Sequence, residues 1–432
     1  MWLAQPLLRR KLQRRGVQEP GYLHAIEERF GHYPINVPVA PGPTVWVHAV
    51  SLGETRAAAM LVSALREQIP GMRLLLTHGT ATGRAEGAKL LQPGDLQTWQ
   101  PWDTVGAVQR FLRHFKPSVG VLMETEVWPN LAHGCQQNGV PLVLANARLS
   151  DKSLRQSERL AWLARPAFAA LTAVWAQTAQ DAERLARLGA PVRGVLGNIK
   201  FDATPDVRLL DTGREWHRQQ SRPVVMFASS REGEELAFLL ALKEFMAFKA
   251  EAKVNTWQDA SESIANQVQW LIVPRHPQRF DAVADMICAE GFEVSRRSQW
   301  PVSGPGDGAS STIWIGDSLG EMALYYGLAD VALLGGSFEP LGGQNLIEAA
   351  ACGCPVVMGP HTFNFADAAV QAEQAGAARR VADMAQALVV AAQWVAEPQR
   401  LQTFSQASED FAQAHRGATL ALAQAIAPLA RV

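Results

Sequence analysis

The chain has 432 residues, 48% of them hydrophobic and 19% charged, with a formal net charge of -1; that length exceeds one ordinary core and fits roughly two or three globular domains. The near-neutral balance excludes a global nucleic-acid binder, and no run reaches the roughly 18 apolar residues of a membrane span. Cys135, Cys288, Cys352 and Cys354 form neither a CxxC pair nor a spaced His/Cys set, which argues against a zinc site or a disulfide framework and fits a reducing cytoplasmic compartment.

In chain order, Met1 to Leu8 carries Trp2, Leu3, Leu7 and Leu8 and runs into Arg9, Arg10, Lys11, Arg14 and Arg15. This is too short for a secretory leader with a cleavage site. It fits either an interfacial segment on an anionic membrane or a solvated first helix. Apolar runs then alternate with helical patterns. Thr44 to Val50, Leu74 to Thr77, Val119 to Met123, Leu142 to Ala145 and Ala173 to Gln177 are predicted strands, with helical spacing over Thr55 to Gln68 and Val105 to Phe115. A second series follows at Val224 to Ala228, Gln269 to Val273, Thr312 to Ile315, Val331 to Leu334 and Val356 to Met358. The alternation predicts an α/β protein with two Rossmann-like, doubly wound halves facing a cleft, residues 1–205 and 212–432, linked through the polar stretch Asp202 to Asp211. Glu251 to Ser263 and Ser303 to Ser311 read as surface excursions.

In such folds ligands gather at the carboxyl ends of the strands. After the first predicted strand comes His48-Ala49-Val50-Ser51-Leu52-Gly53-Glu54-Thr55. Gly53 leaves room beside Glu54, which suits a general base, and Ser51 three residues before Glu54 equally suits a capping box. Spacing alone favours the cap. Glu124 and Glu126 close the run Val119 to Met123, one ordering the turn and the other placed to orient an acceptor hydroxyl or a neighbouring loop, against the plainer reading of an organised structural turn. Arg148 follows the strand ending at Ala145 and fits an anion contact or a carboxylate pairing. In the second half, Ser229-Ser230-Arg231 opens a helix, Pro274-Arg275-His276-Pro277 sets a stiff Arg at a strand end, and Ile315 to Glu321 repeats the strand, turn and helix layout. Leu334 to Asn345 is a Gly-rich turn opening the helix Leu346-Ile347-Glu348. Its amides suit a phosphate, and Glu348 a ribose hydroxyl. No Asp-x-Asp pair stands at a strand end to bridge a diphosphate through a metal, so the donor is expected to carry one phosphate.

Taken together, His48 to Glu54, Met123 to Asn130, Ala145 to Ser150, Gly197 to Asp202, Pro274 to Pro277, Gly316 to Glu321, Gly335 to Glu348 and Gly359 to Phe365 resemble the 3-deoxy-D-manno-octulosonic acid (Kdo) transferases of lipopolysaccharide synthesis. The resemblance runs from about Tyr22 to the C-terminal helix. It implies a GT-B glycosyltransferase that moves Kdo from CMP-Kdo to a lipid A precursor (lipid IVA) at the cytoplasmic face of the inner membrane, inverting the anomeric centre without a metal or other cofactor. It implies an N-terminal acceptor domain with a basic, membrane-facing helix, and a C-terminal CMP-sugar domain whose last helix crosses back to the first. On the family pattern Glu54 is the general base, against the capping preference. Pro274, Arg275, Leu319, Gly320, Glu321, Asn345, Leu346, Ile347 and Glu348 contact CMP, and Ser51, Gly53, Glu124, Arg148, Ser230 and His276 are further substrate contacts. Three segments depart from the pattern: the short apolar stretch at Met1 to Leu8, the turn Thr77 to Gly83, and the long excursion at Glu251 to Ser263. A GT-B transferase of a UDP-sugar and a catalytically silent nucleotide-binding membrane scaffold are the competing readings.

Overall fold

A parallel strand covered by helices on both faces must be apolar at successive positions, because alternate side chains enter opposite layers. β1 (Thr44–His48) does this: Val45 and Val47 join one core layer and Trp46 the other. The computed structural model describes residues 5–34, 42–247, 267–307, 309 and 311–430. The predicted excursion at Glu251 to Ser263 lies outside the described residues, as do parts of Ser303 to Ser311 and of Met1 to Leu8.

Two compact units emerge, one reaching Asp202 and resuming at His415, the other running from Ala203 to Ala414. The first holds β1, β2 (Arg73–His78), β3 (Leu96–Trp99), β4 (Val119–Met123), β5 (Leu142–Ala147), β6 (Ala173–Ala176) and β7 (Val192–Val195) in one seven-stranded sheet ordered β3-β2-β1-β4-β5-β6-β7. Every pairing is parallel, with His48 opposite Thr77 on one side and Leu122 on the other. Helix Leu52–Gln68 covers one face together with the C-terminal helix Ala418–Ile426. Asp202 anchors that returning helix, accepting the N–H groups of Gly417 at 2.5 Å and Thr419 at 2.6 Å.

The second unit holds β8 (Val224–Ser230), β9 (Gln269–Pro274), β10 (Glu293–Arg296), β11 (Thr312–Ile315), β12 (Val331–Leu334), β13 (Val356–Met358) and β14 (Ala378–Arg380), ordered β10-β11-β9-β8-β12-β13-β14. Winding therefore reverses between β1 and β4 in one sheet and between β8 and β12 in the other. The loops flanking those points are where a doubly wound sheet opens a crevice. The stretch Asp202 to Asp211 is mostly not linker, since a helix starts inside it at Val207. Asp206 caps that helix by accepting the N–H groups of Arg208 and Leu209.

Candidate active site

At the first reversal point the loop after β1 carries Glu54 in the opening turn of helix Leu52–Gln68. Ser51 Oγ accepts the Glu54 N–H at 3.3 Å and donates its proton to Glu54 Oε1 at 2.9 Å, while Val50 N–H donates to Oε2 at 3.0 Å. The capping box is therefore real, and it fixes the carboxylate without burying it fully. Burial raises the Glu54 carboxyl above its ordinary value; the Val50 amide and Ser51 hydroxyl oppose this, and the charges of Glu124 and Glu126 add to it. Gly53 is exposed, and a Cβ built there would meet nothing within 4 Å. Packing gives no reason for that glycine, and the space beside Glu54 stays open.

Across the reversal point, Glu124 sits buried after β4 with a left-handed φ of 57°. Arg148 Nε lies 2.9 Å from its Oε2 and Lys200 Nζ 3.1 Å from its Oε1. Of the two expectations for Arg148, the carboxylate pairing is what the fold forms. Glu126 accepts the indole N–H of Trp128 at 2.9 Å, and burial raises its carboxyl as well. His48 lies beneath, fully buried, with Nδ1 2.9 Å from Thr77 Oγ1; burial pulls its imidazole down to about 3, so it stays neutral.

In the second unit three loops meet at the carboxyl ends of β9, β8 and β12. Arg275 N–H donates to the Ser230 carbonyl at 3.0 Å, and its Nε donates to Gln344 Oε1 at 3.2 Å. Pro274 is buried at the end of β9 while the Arg275 side chain is exposed. Next to it, burial and then the charges of Arg231 and Arg275 lower the His276 imidazole, keeping it neutral within a cationic patch. Leu319 stands 71% exposed beyond β11, followed by Gly320 at φ 80° and by Glu321, which pairs with Arg297 at 3.0 Å.

The Gly-rich turn is held from within ahead of the helix start at Asn345. Its amides at Gly336, Phe338 and Glu339 donate to the buried carboxylate of Glu234 at 2.7, 3.0 and 3.4 Å, and Arg231 N–H joins them at 3.0 Å. The anion cradled by this loop is thus the protein's own. Leu346 and Ile347 are each 1% exposed, so any contact they make with a ligand is through backbone; the Ile347 N–H already goes to Asn345 Oδ1 at 3.2 Å. Asn345 and Glu348 remain half-buried. Ser230 is also turned inward, 1% exposed and donating its hydroxyl proton to Glu235 at 3.0 Å, which fits the ordering of the loop better than a substrate contact. Sequence reasoning singled out neither Glu234 nor Lys200 as a side chain with a role. Glu234 three residues after Arg231 repeats the Ser51 and Glu54 spacing and was the available signal.

Two parallel doubly wound sheets with charged loops at their reversal points are the architecture of the GT-B fold. The crystal structure of MurG from Acinetobacter baumannii shares this fold with a TM-score of 0.52 at 14% identity, over 89% of this chain and 99% of that one. Residues 24–203 match the family model described as 3-deoxy-D-manno-octulosonic-acid transferase (kdotransferase). The 3-deoxy-D-manno-octulosonic acid transferase of Bordetella pertussis is 47% identical over 90% of this chain and 88% of its own length. That of Haemophilus influenzae is 32% identical over 84% and 81%. The chain belongs to the 3-deoxy-D-manno-octulosonic acid transferase family.

Proposed function

We propose that this chain transfers Kdo from CMP-Kdo to a lipid A precursor, lipid IVA, with inversion at the anomeric carbon, as a step of lipopolysaccharide biosynthesis. The observation that carries the reading is the Glu54 carboxylate, fixed by Val50 N–H and Ser51, raised in proton affinity, and bordered by open space at Gly53. Glu54 takes the proton of the acceptor hydroxyl as its oxygen bonds to the anomeric carbon. The bond from that carbon to the CMP phosphate oxygen breaks with its electron pair, and CMP departs. A positioned base contributes roughly 10²–10⁴-fold. The exposed guanidinium of Arg275, oriented by Gln344, offsets the charge gathering on the departing phosphate. Leu319 offers an exposed apolar surface to the cytosine ring, Asn345 a polar group to the phosphate and Glu348 a carboxylate to the ribose hydroxyls. Glu124, already neutralised by Arg148 and Lys200, holds the acceptor loop rather than the proton.

Arg10, Lys11, Arg14, Arg15 and Gln18 line one open groove along the first helix. Among the described residues no helix is long and apolar enough to cross a membrane. That basic surface suits peripheral contact with the anionic cytoplasmic face of the inner membrane. Among the described residues no three His, Cys, Asp or Glu side chains converge as a metal site. The test is incubation of the protein with CMP-Kdo and tetra-acylated lipid A precursor in chelator, with the lipid product followed by mass spectrometry. Gain of one or more Kdo residues is expected. Transfer from a UDP-sugar instead, or CMP binding with no transfer, would favour the competing transferase or the silent scaffold.

A further inference from the structure

A small cavity of about 180 Å³ opens in the first unit between the helix Gln5–Gln18 and the carboxyl ends of β1 to β4. Arg29, Trp102 and Gln100 line it, with Lys11 and Arg15 also in its wall. Val50 lines it too, and the Val50 N–H holds Glu54. The cavity therefore adjoins the proposed base.

Arg29 is 4% exposed, an unusual place for a guanidinium. Its NH2 group donates to the Gly79 carbonyl at 3.1 Å, and its plane lies over Trp99 at 3.9 Å and Trp102 at 5.6 Å. The neighbouring carboxylate, Glu28, pairs with Arg84 at 2.9 Å, and among the described residues no ion pair forms at Arg29. Arg29 Nε has no protein partner, and the same holds for Trp102 Nε1 and Gln100 Oε1. Burial lowers the Arg29 guanidinium to about 10, the charges of Arg84 and Arg15 adding to the effect and Tyr22 and Glu28 opposing it. Asp103 and Glu126 line the cavity as well, but Asp103 is taken by the Asn130 and Leu131 N–H groups and Glu126 by Trp128. Arg29 and Trp102, both in the cavity wall, thus each carry an N–H with no protein partner, one of them on a buried cation, and the two acids beside them each already accept a hydrogen bond.

We infer that this cavity receives a phosphate ester of the acceptor glycolipid, with Arg29 and Trp102 donating to its oxygens and Lys11 and Arg15 at the rim, so that the acceptor hydroxyl is presented to Glu54. The inference rests on the acceptor reading above. Lipid IVA, a phosphorylated and acylated disaccharide, has the required chemistry: phosphate for the guanidinium, sugar and acyl surface for Leu12, Tyr22 and Trp128.

The full chain is assayed with CMP-Kdo and two acceptors, lipid IVA and the same acylated disaccharide with its phosphates removed. The wild type is expected to show a KM for lipid IVA about ten-fold or more below that for the dephosphorylated form. Arg29→Gln should erase most of that ratio, while KM for CMP-Kdo moves less than about two-fold. Trp102→Phe keeps an aromatic ring under Arg29 while removing the N–H and part of the indole surface, and should narrow the ratio about three-fold; it carries the test if Arg29→Gln does not fold. An unchanged ratio in the folded variants overturns the inference and leaves the transferase reading standing. If inorganic phosphate binds the wild type but not Arg29→Gln, and the two acceptors are used equally, the cavity is a free-phosphate site and the assignment fails. If neither acceptor gains Kdo, the transferase reading fails. Calorimetric titration with lipid IVA then decides the cavity alone: weakening by about ten-fold in Arg29→Gln sustains it, and equal binding overturns it.

Discussion

Replacing Glu54 with Gln separates its structural and chemical roles. In the wild type the carboxylate accepts one amide at 3.0 Å and one hydroxyl at 2.9 Å. Hydrogen bonds to a charged acceptor contribute about 1.5–3 kcal/mol against about 1 for neutral ones. Gln keeps an oxygen for the Val50 N–H, and the Ser51 hydroxyl can turn to accept from its amide. The change therefore costs about 1 kcal/mol per bond, and removing a half-buried charge offsets part of it. For a unit of this size the melting temperature should move by no more than about 4 °C. Turnover should fall roughly 10²–10⁴-fold with CMP binding retained. The pH dependence has a definite sign. Glu54 is raised in the fold, so as pH rises through the ordinary carboxylate range the unfolded chain loses its proton first and the native state is relatively weakened. Any stability advantage of Glu54→Gln thus belongs to neutral pH and vanishes below about 4.5. The acid limb of kcat/KM, measured from pH 4 to 8 by product formation, should lie above the ordinary carboxylate value and be absent in the variant. Turnover within ten-fold of wild type, or a wild-type acid limb at or below about 4.5, would refute the assignment.

Lys200→Met leaves Glu124, 5% exposed, with Arg148 as its remaining cation; urea unfolding should show a loss of about 2–3 kcal/mol. Asp202→Ala removes the acceptor for Gly417 and Thr419 N–H and should cost about 1–2 kcal/mol, with faster hydrogen exchange concentrated in Ala418–Ile426. His48 and His78 are held by burial at about 3 and about 4, below their unfolded value, so the stability they confer is present above about pH 6.5 and is lost as pH falls toward those values. Between pH 6.5 and 5 each should account for about 2 kcal/mol, and His48→Gln should flatten the measured slope. Glu234→Gln puts an amide group against N–H donors of the Gly-rich loop, and should weaken CMP binding in calorimetry about ten-fold while kcat changes less.

Much of this fold was legible in the sequence, and the strands that were missed have a common place. The central strands read as apolar runs because both of their faces are covered; β4 is buried along its whole length, as its run from Val119 to Met123 predicts. β3, β7, β10 and β14 were not predicted, and all lie at sheet edges. Sequences such as Val192-Arg193-Gly194-Val195 and Glu293-Val294-Ser295-Arg296 are half exposed and carry polar residues that blunt a free edge, so no apolar run marks them. At the site, Ser51 and Glu54 were legible because their interaction is local. Glu234 finds Gly336 from 102 residues away, and Arg29 finds Gly79 from 50, so their surroundings exist only once the chain has folded. The Gly-rich turn shows the same limit: its donors at Gly336, Phe338 and Glu339 are visible in the sequence, but the carboxylate that takes them comes from another loop.

Glu54 and Glu234 show how one residue type at one kind of place comes to do two jobs. Both open helices after strands beside a reversal point, and in both burial raises the carboxyl. Glu234 receives four backbone N–H groups and is fully buried, so its lone pairs are spent on shaping the loop. Glu54 receives one amide and one hydroxyl, remains half-buried, and borders a glycine with empty space above it. A carboxylate that keeps an accessible lone pair and an elevated proton affinity is suited to hold a proton transiently; one ringed by amides is suited to hold a loop permanently. The difference lies in the number of donors around each, so adding or removing donors, rather than moving the carboxylate, is what would convert one role into the other.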